Sequence, residues 1–134
     1  MKKGILLLFF VSFVTTACSG NLGELTRVDV QQVMSDGSPA EAERITDKES
    51  IQSIRDVMKE VDWEDKSVDM LREPEARAVF YYQQGEDSQE HLVEYDIWFT
   101  DGPGFAVLMS EEEGRKYGVV QSEQTAILRE MFVE

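Results

Sequence analysis

ARAVFYYQ (76–83) and HLVEYDIWF (91–99) decide the fold class. Both segments are rich in β-branched and aromatic residues with a period of two, which is the pattern of half-buried strands. On the second, Val93, Tyr95, Ile97 and Phe99 share one face, expected to be the core side, while Glu94, Asp96 and Trp98 point the other way. The segment from Gly85 to Glu90 joins the two as a hairpin. Asp101-Gly102-Pro103-Gly104 then turns the chain into FAVLM (105–109), a third strand, and KYGVV (116–120) supplies a shorter fourth. Consecutive strands joined by short turns predict an antiparallel sheet.

Working outward, Leu25 to Val33 (LTRVDVQQV) carries β-branched residues with partial alternation and reads as a strand, followed by turn chemistry in SDGSP (35–39). Thr46-Asp47-Lys48-Glu49 fits a capping box. Ile51, Ile54, Met58 and Val61 follow on one stripe of an amphipathic helix. Asp62 to Pro74 reads as a charged connection. Its carboxylates at Asp62 and Glu73 have the spacing of a calcium loop, but Lys66 and Ser67 stand where an oxygen ligand and the turn glycine belong. At the other end Ser122 caps a terminal helix with Ile127, Leu128, Met131 and Phe132 as its apolar stripe. The expected architecture is α+β in the order β-α-β-β-β-(β)-α, an antiparallel sheet of about four to five strands with both helices packed on one face.

The N-terminus gives an address. Lys2 and Lys3, the apolar run Ile5–Val14 and the small residues Thr15, Thr16 and Ala17 follow the order of a secretory signal, and the chain's single cysteine, Cys18, comes next. The apolar run is shorter than the roughly 20 residues needed to cross the hydrocarbon core. V-T-T-A-C resembles the lipobox of bacterial lipoproteins, with Thr15 where that family usually carries leucine. The resemblance implies cleavage after Ala17 and a diacylglyceryl group on the Cys18 sulfur, anchoring the chain on the extracytoplasmic face of the cell membrane. Two other outcomes remain open: cleavage by an ordinary signal peptidase, leaving a free thiol, or an uncleaved anchor. The expected layout is a signal at 1–17, a lipidated N-terminus and tether at 18–24, and one globular domain at 25–134. Extended at about 3.5 Å per residue, the six residues Ser19–Glu24 would hold that domain within roughly 20 Å of the membrane.

Without Lys2 and Lys3, 11 basic residues would face 27 acidic ones, a balance of −16. Such a surface is repelled by nucleic acid and by anionic headgroups. It suits solubility, a cationic protein or peptide partner, or loosely held metal ions. A mature chain of 117 residues is enough to bury a core without disulfides, which a single cysteine could not form internally.

Catalytic signals are thin. His91 is the sole histidine and stands at a strand start, so neither a nucleophile–base pair nor a histidine-rich metal site can be assembled. The glycines at 102 and 104 precede a strand rather than a helix, unlike a phosphate-cradling loop. No enzyme, cofactor or metal is expected. The alternative is a hydrolase of envelope polymers using paired carboxylates. The expected binding face is Arg77, Val79 and Tyr81 with Trp98, aromatics and charge together on the outer side of the hairpin, unless a further strand or the 62–74 connection covers them.

Taken together, the lipobox, the aromatic hairpin at 76–99 and the ending KYGVVQSEQTAILREMF resemble the small YhfM-like lipoproteins of Bacillus-type bacteria. The resemblance implies a surface-anchored domain and brings no catalytic residues with it. The expected role is a membrane-tethered binding or accessory module for a protein or peptide.

Overall fold

The computed structural model describes residues 23–34, 36–85, 89–100 and 104–133. The leader, Cys18 and most of the tether lie outside the described residues. Among the described residues, seven strands and two helices follow in the order β1 (Glu24–Gln32), β2 (Glu43–Ile45), α1 (Lys48–Lys59), β3 (Asp62–Glu64), β4 (Ala76–Gln83), β5 (His91–Phe99), β6 (Ala106–Met109), β7 (Tyr117–Val120) and α2 (Ser122–Val133). All pair antiparallel in one sheet of order β2-β1-β4-β5-β6-β7-β3. The α+β class with an antiparallel sheet and two helices is therefore as expected, but the sheet has seven strands rather than four or five. The additional strands are β2 and β3, each three residues long and each at an edge.

The central hairpin has the expected bounds and faces. Val93, Tyr95, Ile97 and Phe99 are all buried, as are Ala76, Ala78, Phe80 and Tyr82 opposite them. Leu108 pairs with Ile97 and joins the same inner side. On β1 the register shifts between Leu25 and Arg27, and Thr26 donates its hydroxyl to the Tyr81 carbonyl at 3.2 Å. The bulge lets Leu25 and Val28, an odd number of positions apart, both face inward. Partial alternation in that segment has this cause.

α1 crosses the inner face and carries the chain from one edge strand to the other. Its buried stripe is Ile51, Ile54, Val57 and Met58, and its cap is Asp47, whose carboxylate accepts from the Ser50 N–H at 3.0 Å. The cap thus lies one residue beyond the expected Thr46, and Glu49 sits in the first turn. α2 begins at Ser122 itself rather than after it, and buries Leu128 and Phe132 against α1 and β1. Thr125, buried in the same interface, donates to the Val120 and Gln121 carbonyls. Aromatic contacts knit the core: Phe80 meets Tyr95 edge-on at 4.8 Å and Phe132 at 6.4 Å, and Tyr95 lies 5.9 Å from Trp63. Trp63 and Val61 lie over Gly118 on β7 so closely that a Cβ there would come within 2.6 Å of both side chains. Glycine there leaves room for the Val61 and Trp63 side chains beside the edge strand.

From β3 the chain must return to the sheet centre, and residues 65–75 do so over the outer face. This segment is the charged connection of the sequence, acting as a strap. Its end is fixed to β5: Glu75 N–H donates to the Ile97 carbonyl at 2.9 Å, and Arg72 donates to the Phe99 carbonyl at 2.7 Å and pairs with Glu75 at 2.9 Å.

Candidate functional site

Between the strap and the outer face of β4–β6 runs an open groove of about 670 Å³, within the size range of ligand sites. Alternation on β5 and β6 supplies its floor. Trp98, Leu92 and Met109 contribute apolar surface, Val68 and Met70 of the strap close one side, and Leu71 of the strap is fully exposed nearby. Around this floor stand six carboxylates, Asp69, Glu73, Glu94, Asp96, Glu111 and Glu112, against two guanidinium groups, Arg72 and Arg77. Both cations are already paired, Arg72 to Glu75 and Arg77 to Glu73 and Asp96. Glu112 lies 3.1 Å from His91 Nε2. Asp69, Glu94 and Glu111 have no ion-pair partner among the described residues. The groove is therefore electronegative with a partly apolar floor.

The expected binding face is divided. Arg77 and Trp98 line the groove, whereas Val79 and Tyr81 lie farther along β4 toward β1. Trp98 is not the exposed aromatic anticipated from its strand position. It is only 7% accessible, because the strap covers it and the Arg72 carbonyl accepts from its indole N–H at 2.8 Å. Covering by the 62–74 connection was the competing expectation, and it holds for this residue.

Tyr81 belongs to a second cluster that the sequence did not announce. Arg27 grips Asp29 through two bonds, at 3.0 and 2.7 Å, and its guanidinium lies 4.2 Å from the Tyr81 ring centroid. The Tyr81 hydroxyl donates to Asp29 at 3.2 Å, and Arg44 of β2 approaches the same carboxylate at 3.8 Å. The bonds from Arg27 hold the Asp29 carboxyl below its ordinary range, against partial desolvation. The same pairing raises Arg27. Among the described residues, Arg27, Asp29 and Tyr81 satisfy one another here. The R-x-D spacing on one strand was the available signal, since alternate residues share a face.

His91 is half exposed at the strand start, beside Glu112. Among the described residues no group of three or more His, Cys, Asp or Glu side chains could hold a metal ion, and no helix is long and apolar enough to cross a membrane.

None of the known family models matches this sequence, nor does any curated protein sequence. Among solved structures, the fold is similar to that of a thioesterase-like protein from Clostridium sporogenes ATCC 15579, with a TM-score of 0.54 and 16% identity over 84% of this chain and 98% of that one. The likeness is one of fold. It corrects the expectation that the chain is not an enzyme. That expectation rested on the thin catalytic signals of the sequence, and the finding against it is that the architecture is shared with a thioesterase-like protein.

Proposed function

We propose that this chain is a lipid-anchored extracytoplasmic domain that binds a basic segment of a protein or peptide in the groove beneath the strap. The observation that carries the reading is the excess of unpaired carboxylates, Asp69, Glu94 and Glu111, around an apolar floor. A lysine- or arginine-bearing segment answers both features, with aliphatic stems on Leu92 and Met109 and charged heads at the rim. Sequence supports the anchor: the apolar run and V-T-T-A-C at 14–18 suit lipidation of Cys18, and two acyl chains suffice for stable attachment. Intact-mass analysis of the native membrane protein tests that part, since a product starting at Cys18 with added acyl mass is expected. For the groove, titration of the full chain with a Lys/Arg-rich peptide should saturate and weaken as salt rises. It should weaken roughly ten-fold or more in Glu94→Lys, where attraction becomes repulsion. Binding that ignores this reversal excludes the groove.

A second reading rests on the shared fold, namely hydrolysis of a thioester with a groove carboxylate such as Glu94 taking the proton from water. Thiol release from acyl thioesters, abolished in Glu94→Gln, is its signature. A chain that releases no thiol from any of them lacks this activity.

A further inference from the structure

On the opposite side of the sheet, where α1 gives way to β3, lies a separate cavity of about 340 Å³. Its apolar lining comes from Leu25 of β1, Met58 of α1, Val61, Trp63 and the ring of Tyr82. Its charged lining is wholly cationic, Arg55, Lys59 and Arg115, in a chain where 27 acids outnumber 13 bases. Arg55 is partly answered by Glu24 at 3.4 Å. Lys59 occupies the last turn of α1, where a cation suits the helix dipole. Neither explanation covers Arg115. It comes from the turn before β7, lies 6.0 Å from the Trp63 ring centroid, and has no carboxylate partner among the described residues although Glu111, Glu112 and Glu113 precede it.

A buried phenol lies behind two of the lining residues. The Tyr95 hydroxyl is fully buried and makes no hydrogen bond of good geometry among the described residues. Its neighbours are the Tyr82 hydroxyl and the Arg115 guanidinium, both close enough to influence its ionisation and both lining the cavity. Burial raises both phenols, so they remain proton donors at neutral pH. A guanidinium with no carboxylate partner at the mouth of an apolar cavity is an arrangement completed by a group carrying negative charge.

We propose that this cavity binds an anionic amphiphile, with the head at Arg115 and Lys59 and a short aliphatic body against Met58, Val61 and Trp63. At about 30 Å³ per water-sized group the volume holds roughly eleven such groups, so a medium-chain anion such as decanoate fits with its head at the open rim. The inference is independent of the groove, which lies on the other face and carries the opposite charge. The ligand could be a free monoacyl anion or a membrane lipid reaching in from the anchoring surface, and the same chemistry serves both.

The chain has two tryptophans, so in a Trp98→Phe background Trp63 alone reports on the cavity. The full chain in phosphatidylcholine nanodiscs is titrated with decanoate, decanol and inorganic phosphate, and its emission is compared with that in phosphatidylglycerol nanodiscs. Saturable binding of decanoate, weakened about ten-fold or more in Lys59→Gln/Arg115→Gln and retained within a few-fold in Arg115→Lys, supports a free amphiphile. A shift in phosphatidylglycerol without decanoate, lost in the same double variant, supports the lipid instead. Decanol binding as tightly as decanoate, an unchanged double variant, or no response to either anion overturns the proposal. Circular dichroism confirms that each variant is folded, and Arg115→Lys separates loss of charge from loss of packing.

Discussion

On β4, Ala76, Ala78, Phe80 and Tyr82 face the helices, while Arg77, Val79 and Tyr81, interleaved between them, face outward. The inner set lies in a core closed by α1 and α2 and joined through aromatic contacts. The outer set lies in a layer of ion pairs partly covered by a strap of irregular chain. One face is closed by regular elements that bury apolar area and the other by a few hydrogen bonds at one end of a loop, so stability resides on the first, and the groove proposed for a basic segment lies on the second. A strand residue's role here is set by its parity.

The largest test of that contrast uses adjacent residues. Phe80→Ala should cost about 3–5 kcal/mol in denaturant unfolding, since Phe80 is fully buried against Tyr95 and Phe132. Arg77→Ala, a residue with half-exposed partners, should cost less than about 1 kcal/mol. Comparable losses would erase the division between faces. Gly118→Ala comes next, at about 1–3 kcal/mol, because the added methyl drives Val61 and Trp63 off the sheet. A displaced Trp63 would also show in near-ultraviolet circular dichroism.

Smaller effects sharpen the outer face. The Asp29 carboxyl is lowered in the folded chain, so its contribution is fully present above the unfolded value near 3.9 and is lost as pH falls through the lower folded one. Asp29→Asn should therefore flatten the acid limb of the stability–pH curve. An identical acid limb in both proteins would show that the Arg27–Asp29–Tyr81 cluster adds nothing. The smallest effect belongs to Tyr95→Phe. Removing a buried hydroxyl without a good partner should leave stability unchanged or raise it by up to about 1 kcal/mol.

Much of the inner face was legible. Long strands with strict alternation, 76–83 and 91–99, declare both their extent and their core side. Short edge strands do not: Glu43–Ile45 and Asp62–Glu64 are too brief and too polar for a period to emerge, and pairing with β1 and β7 alone makes them strands. The bulge at Thr26 blurred the pattern of β1, and a one-residue choice between Thr46 and Asp47 decided the cap. The outer face was legible only as a list of outward residues. That Trp98 would be roofed depends on its bond to Arg72, 26 positions earlier, and such closure leaves no local mark. The same applies to the cavity, whose walls come from β1, α1, β3, β4 and the turn before β7.

The most direct test places a photocrosslinking residue at two exposed positions in intact cells: Leu92 at the groove, and Glu49 on the solvent side of α1. The groove assignment predicts a partner captured from Leu92 and lost when Glu94 is changed to lysine, with Glu49 capturing nothing in common. Adducts confined to Glu49, or a Leu92 adduct untouched by the charge reversal, would contradict it.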